Sequence, residues 1–201
     1  MANMLDYSTE LDAVNRMLNS IGQTPVNSLE VSGIGDVAKA RRYLDDTLRD
    51  TQAEGWSWNT DRNYTLQPDT QGFIAVPVGA LDVDAEDRTR SIVVRRNPNT
   101  DSMSLWDGEN NTFIFTSSVV VSIIWGHPYN DLPQPARTYI GTLAARRFQG
   151  QVVSSAVLDR INQDEVDSAW LLLQRAERRT RDTNVYRRNT SVSSFASRRR
   201  F

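Results

Sequence analysis

The chain has 201 residues, 39% of them hydrophobic and 24% charged, with no cysteine and a single histidine. This length allows one domain or two small ones with a substantial core, and the lack of cysteine excludes a disulfide framework and a thiolate metal site. The net charge of −2 is uneven, because residues 175–201 contain nine arginines and two acidic residues, a net of +7, which leaves −9 on the other 174 residues. An acidic body with a basic end is typical of a protein that binds partners.

Two amphipathic helices are predicted at the start of the chain. Ser8 or Thr9 can cap the first helix, and Gly22 is its natural left-handed stop. Its apolar stripe recurs at three- and four-residue steps: Leu11, Val14, Leu18 and Ile21. Asp36 can cap the second helix, which Gly55 ends. The second helix has a similar stripe: Val37, Ala40, Leu44, Leu48 and Thr51.

A β module is predicted to follow, because the hydrophobic period changes to two at Trp56 and Trp58, and the alternation runs to Leu66. Further strands are predicted at 72–78, 80–84, 91–96, 103–107, 111–116 and 118–125. Asp107-Gly108 is a turn signal and predicts a hairpin that joins residues 105–106 to residues 113–115. We expect mostly antiparallel pairing.

Two more helices are predicted after the β module. Proline is tolerated in a first helical turn, so Pro133 and Pro135 can open the third helix, and Gly150 closes it. Ser154 or Ser155 starts the fourth helix. Its stripe is Leu158, Ile161, Val166, Ala169, Leu172, Leu173 and Ala176.

The predicted fold class is α+β. A four-helix bundle is built from residues 1–55 and 131–183, and a mostly antiparallel β domain, residues 56–130, is inserted between the two segments. Residues 184–201 are rich in Arg, Ser, Thr and Asn, so they are expected to form a basic C-terminal tail that is extended or, in the free protein, disordered.

Residue types with catalytic chemistry are few. His127 lies at the junction of the β module and the third helix without a recognisable nucleophile motif, so we interpret it as structural. Asp82 and Asp84 belong to an acidic stretch, residues 82–87, that lacks the glycine and terminal glutamate of a calcium loop. The sequence therefore predicts no catalytic, cofactor-binding or metal site, no cofactor, and no enzyme activity.

Contact residues are predicted instead. In the fourth helix and the tail they are Arg175, Arg178, Arg179, Arg181, Tyr186, Arg187, Arg188, Phe195, Arg198, Arg199, Arg200 and Phe201. In the β module they are Trp106, beside the predicted turn, and Asp107. The tail has three open interpretations: it binds nucleic acid through phosphates, it docks on carboxylates of a protein, or it stays free. Arginine outnumbers lysine 22 to 1, which favours bidentate protein contacts.

The order of these segments resembles the tail tubular protein A family of short-tailed bacteriophages. The resemblance is carried by residues 10–30, by residues 36–46 and by the Gly-Trp-Ser-Trp-Asn run at residues 55–59. It returns at residues 131–150 and through the fourth helix, residues 155–182. Together these segments cover both helical ends, while the β module agrees mainly in pattern and length.

This resemblance implies a structural virion protein, a dodecameric adaptor ring between the portal and the nozzle, which is tail tubular protein B. The ring continues the DNA channel without sequence-specific DNA binding, helps to anchor tail fibres, and serves tail assembly and genome ejection. It implies a place in the virion tail after assembly in the host cytoplasm.

The sequence leaves two other functions open. A tail-associated glycan hydrolase would use Asp82 and Asp84, and a nucleic-acid-binding protein would act through the Arg-rich tail. No apolar run approaches the roughly 20 residues of a membrane helix, and residues 1–10 do not have the pattern of a secretory signal. We therefore expect no membrane partner.

Overall fold

The protein is an α+β structure with antiparallel sheets. The computed structural model describes the backbone of residues 8–30, 35–152 and 156–188, and the side chains of residues 8–30, 35–151 and 163–180. Its elements in this part of the chain are α1 (Glu10–Ser20), α2 (Gly35–Ala53), β1 (Thr60–Leu66), β2 (Ala80–Ala85), β3 (Ile92–Asn97), β4 (Ser102–Asp107), β5 (Val119–Trp125), α3 (Gln134–Val152) and α4 (Ala156–Arg188).

The chain divides into two compact units. The helical unit contains the segments before Gln52 and after His127, and the β unit is Gln52–His127. Each unit therefore has its own core, and the helical unit joins segments that are distant in sequence.

The predicted start and stop of α1 are confirmed. Thr9 is the N-cap and forms a capping box with Asp12, in which the Asp12 amide donates to the Thr9 hydroxyl and the Asp12 carboxylate accepts from the Thr9 amide at 2.9 Å. These bonds from Thr9 lower the pKa of Asp12 below its ordinary value because they stabilise the carboxylate. The helix gives way to Gly22, whose φ of +77° is the left-handed conformation that glycine adopts readily.

Helix α3 packs against the other helices of its unit. It packs against α1 and α4, and it meets α2 where Tyr43 lies edge-on to Phe148 with ring centroids 5.9 Å apart. Phe148 is fully buried, and Arg147 adds an ion pair to Asp50 at 2.8 Å. The prediction that Gly150 ends this helix is wrong: α3 continues to Val152, because an exposed glycine lowers helix stability without breaking the hydrogen-bond ladder.

Helix α4 extends beyond α3. The Tyr139 and Trp170 rings, 5.0 Å apart, set an antiparallel register in which the first residue of α3, Gln134, lies about opposite Arg175. The 13 residues that follow Arg175 therefore form an overhang of about 20 Å at about 1.5 Å per residue. The sequence predicts an extended tail from residue 184, whereas the helix runs to Arg188, and the rest of that tail lies outside the described residues.

The β unit has two antiparallel sheets. The first has the order β1-β5-β2, with β5 in the centre, and the second is the β3-β4 hairpin. Buried apolar side chains from both sheets and their loops form one core: Leu66, Ile74, Val83, Ala85, Ile92, Leu105, Phe115, Val119, Val121 and Ile123.

Several predicted strands are wrong. Trp56 and Trp58 lie in a turn before β1, and segments 72–78 and 111–116 contribute isolated bridges, not strands. The hairpin across Asp107-Gly108 is reduced to one bridge between Asp107 and Thr112, because one edge of β4 pairs with β3 and the other edge bonds to Ile74 and Val76. Proline, glycine and side-chain-stabilised turns in this region compete with regular pairing, which alternation alone does not reveal.

Asn59 fixes the turn between α2 and β1. Its amide donates to the Gln52 carbonyl at 2.9 Å and to the Trp125 carbonyl at 2.8 Å, and its carbonyl accepts from the Trp56 amide at 2.8 Å. Asn59 is buried, so these three bonds satisfy two buried main-chain groups, at Trp56 and Gln52, and the partly buried Trp125 carbonyl.

Candidate interaction surfaces

The exposed side of α4 in the helical unit changes charge along the helix. Asp164, Glu165 and Asp167 are exposed before the leucines at 171–173, and Arg175, Arg178 and Arg179 are exposed after them, so the C-terminal part of this surface is basic. Four more predicted contact residues lie in the helical backbone, and their side chains are outside the described part: Arg181, Tyr186, Arg187 and Arg188. The remaining predicted contacts lie outside the described residues: Phe195, Arg198, Arg199, Arg200 and Phe201. The described guanidinium groups suit bidentate contacts to carboxylates.

Two leucines interrupt this polar surface. Leu171 is 51% exposed and Leu172 is 52% exposed, whereas Leu173 is buried. The prediction that Leu172 belongs to the buried stripe is therefore wrong. Three consecutive leucines on a helix span about 200° of its circumference, so they cannot all face one neighbour. That triplet is the sequence signal by which the exposed patch could have been found.

A groove of about 430 Å³ lies beside these leucines, between α3 and α4. Its lining residues are Thr138, Thr142, Asp164, Glu165, Ser168, Ala169 and Leu172. One end is apolar, at Ala169 and Leu172, and the other end is acidic, at Asp164 and Glu165. The lining of the groove therefore changes from apolar to acidic along α4.

Trp106 is partly buried in the β unit. The Arg95 guanidinium lies over its ring, 5.0 Å from the centroid, and Phe113 packs edge-on at 4.6 Å. The Asp107 carboxylate binds residues of its own loop: it accepts from the side chain of Asn110 at 2.9 Å and from the amides of Asn110 and Glu109. These bonds, with the Asn110 side chain as the main cause, lower the pKa of Asp107 and fix the loop.

The β unit also has exposed apolar side chains that sequence reasoning missed. They are Tyr64, Val78, Leu81, Val93, Met103, Ile114 and Val120. Val120 alternates with buried Val119 and Val121 on β5, so it lies on the open face of the three-stranded sheet. A strand of consecutive valines hides this alternation in the sequence.

Asp82 and Asp84 lie two residues apart on the exposed side of β2. They share one strand face, whereas a glycosidase needs two carboxyl groups that face each other across a cleft. His127 is held through its main chain: its amide donates to Gln52 at 2.7 Å, and its carbonyl accepts from Gln52 at 3.0 Å. The described residues contain no cluster of three or more potential metal-ligating His, Cys, Asp or Glu side chains.

Among the helices of the described residues, none has the length and apolar character needed to cross a bilayer.

A family model described as tail tubular protein matches residues 11–183. The match covers most of the chain, so the chain belongs to the tail tubular protein family, as the sequence resemblance indicates. No curated protein matches the chain. This is a family of structural virion proteins and not of enzymes, and membership identifies the chain as a structural component of a phage tail that assembles with other tail components.

Proposed function

We propose that this tail tubular protein is the adaptor between portal and nozzle, forming a dodecameric ring that continues the DNA channel. The observation that carries the proposal is the family match over residues 11–183, which includes both helical segments and the β unit. In this role the protein assembles in the host cytoplasm, helps to anchor tail fibres, and acts in tail assembly and genome ejection.

In the proposed ring, the four helices form a single bundle, with the β domain inserted and a basic tail after α4. Contacts between identical neighbours in a ring are heterologous, so each copy needs two different complementary surfaces. The uneven charge of the chain supports such a pair, since a net +7 end accompanies a body of −9. The exposed Arg175, Arg178 and Arg179 begin the basic surface, and the arginines of the tail continue it.

The acidic body also suits a channel for DNA. A lumen lined by positive charge would bind the phosphates of the sliding duplex and slow its passage. We assign the basic α4 end to a clasp on the neighbouring copy or the portal. The β module, with Trp106, is assigned to the nozzle and the tail fibre.

Charge reversal on α4 tests the clasp. The Arg175→Glu/Arg178→Glu variant is expected to form rings at least about tenfold less readily, because attractive charge contacts become repulsive. Its matched control is Arg62→Glu/Arg88→Glu, which changes the net charge equally at exposed sites of the β unit. Mass photometry of both variants, alone and with the portal, reads the assembly. Equal losses in the two variants would contradict the proposed location of the contact.

A further inference from the structure

The groove between α3 and α4 lies outside the basic surface assigned above. Its apolar end carries Leu172, which is 52% exposed beside the 51% exposed Leu171, so two large apolar side chains meet water next to each other. Within the described side chains, Asp164 and Glu165 at its other end have no ion-pair partner. Arg16 approaches only the side of the groove, donating to the Thr142 hydroxyl at 3.4 Å.

A complementary segment occurs in the same sequence. Residues 195–201, Phe-Ala-Ser-Arg-Arg-Arg-Phe, place an aromatic side chain before three consecutive arginines. An aromatic anchor suits the leucine end of the groove, and guanidinium groups suit carboxylates in bidentate geometry.

The spacings of the two partners agree. From Leu172 to Asp164, α4 rises about 12 Å, at about 1.5 Å per residue. From Phe195 to Arg199, an extended chain covers about 13 Å, at about 3.3 Å per residue. Phe195 can therefore lie against Leu172 while Arg199 reaches Asp164 and Glu165.

We infer that this groove binds residues 195–201 of a neighbouring copy of the chain, with Phe195 at the apolar end and Arg199 at the acidic end. The inference rests on the proposed ring, which places an identical copy beside every groove.

The length of the chain favours binding of a neighbouring copy's tail in the groove over binding of the chain's own tail. Helix α4 carries the chain from Leu172 to Arg188, about 24 Å away along the helix. The seven residues from Arg188 to Phe195 span at most about 25 Å when fully extended. A segment that returned to its own groove would therefore have almost no length left to reverse direction.

A cysteine pair tests this contact directly, because the native chain has no cysteine. The Leu172→Cys/Phe195→Cys variant is oxidised both as purified protein and in tails assembled with it, and the products are separated under non-reducing conditions. We expect a ladder of covalent dimers, trimers and higher species, since each copy would be linked to two different neighbours.

The controls separate the alternatives. Each single-cysteine variant can give at most a dimer, and Val78→Cys/Phe195→Cys places the first cysteine on a fully exposed valine outside the groove. A cross-linked monomer, or a ladder no stronger than that of the Val78 control, would overturn the inference.

Charge reversal adds a second readout. Asp164→Arg/Glu165→Arg in the cysteine pair should weaken the ladder about threefold or more, and Arg198→Glu/Arg199→Glu/Arg200→Glu on top of it should restore the ladder. No rescue would overturn the acidic-end contact.

Failure of this contact is distinguishable from failure of the proposed function. Rings that stack on the portal without cross-linking would overturn the groove contact and leave the adaptor role intact. A ladder in a chain that ignores the portal would support the contact and contradict the adaptor role.

Discussion

The two units are stabilised in different ways. The helical unit depends on apolar burial across helix faces, as at the fully buried Phe148 and Ile140 of α3. The β unit shares a core of similar kind, but its turns are fixed by side chains that bind the main chain, such as Asn59, Asp69 and Asp107. Apolar burial follows a period in the sequence, whereas a side chain that fixes a turn is a single residue. The periodic pattern therefore specifies the helix packing of the helical unit, whereas individual polar residues specify the turns of the β unit.

The largest expected effect is at Phe148. Phe148→Ala should lower the free energy of unfolding by about 3–5 kcal/mol, because it leaves a cavity beside Tyr43 in the helical unit. Urea denaturation followed by circular dichroism at 222 nm measures the change. The control Leu172→Ala removes an exposed leucine and should change stability by about 0.5 kcal/mol or less. Comparable losses would contradict the assignment of Phe148 to the core.

A polar counterpart in the β unit is Asn59. Asn59→Ala should cost about 2–4 kcal/mol, because it removes the side-chain hydrogen bonds to the Trp56 amide and the Trp125 carbonyl and one of the two bonds to the Gln52 carbonyl, which keeps its bond from the Gly55 amide. Tryptophan fluorescence during denaturation reports mainly on this unit, because four of the five tryptophans lie in it, including Trp56, whose amide binds Asn59. Exposed Asn99→Ala is the matched control. An Asn59 variant as stable as the control would refute the view that single polar residues hold this unit.

One glycine in each unit distinguishes the two units further, since replacing it by alanine should change the free energy of unfolding in opposite directions. Gly55 has φ of +73°, and an added Cβ would lie 2.8 Å from the Ile124 Cδ1 atom, so Gly55→Ala should destabilise by about 1–2 kcal/mol. Gly150 lies exposed inside α3 with nothing within 4 Å, so Gly150→Ala should stabilise by about 0.5–1 kcal/mol. Thermal melting measures both, and a destabilised Gly150→Ala would show that α3 is constrained there.

The smallest expected effects are on pH dependence. The pKa of Asp12 is lowered by its capping-box bonds to Thr9, and that of Asp107 by Asn110. A carboxyl whose folded pKa is depressed contributes stability above its unfolded pKa of about 3.9, and loses it as the pH falls through the folded value. Asp12→Asn and Asp107→Asn should each melt lower than the native chain at pH 7, and the difference should shrink below about pH 4. A difference that persists unchanged at pH 2 would contradict the ionic origin of the effect.

The sequence predicts the helices better than the strands, for a physical reason. The Thr9 cap, the Gly22 stop and the long periodic stripes are local features that act within one helix. The segments at 72–78 and 111–116 have strand composition, but their pairing is decided by turns at Asp69 and Asp107 that alternation does not reveal.

Candidate contacts were only partly predictable. The exposure of Arg175, Arg178 and Arg179 follows from charge on a helix, since ionised side chains stay in water. The apolar period predicts that Leu172 belongs to the core, whereas in the structure it lines the open groove between α3 and α4 and stays exposed. The groove is formed by α3 and α4 together, so the pattern of either helix alone does not predict it.

The most direct test of the adaptor role is electron microscopy of the purified protein, alone and mixed with the portal of the same virus. The proposed function predicts a twelve-fold ring stacked coaxially on the portal, with an open channel through both. A chain that stays monomeric and ignores the portal would contradict it.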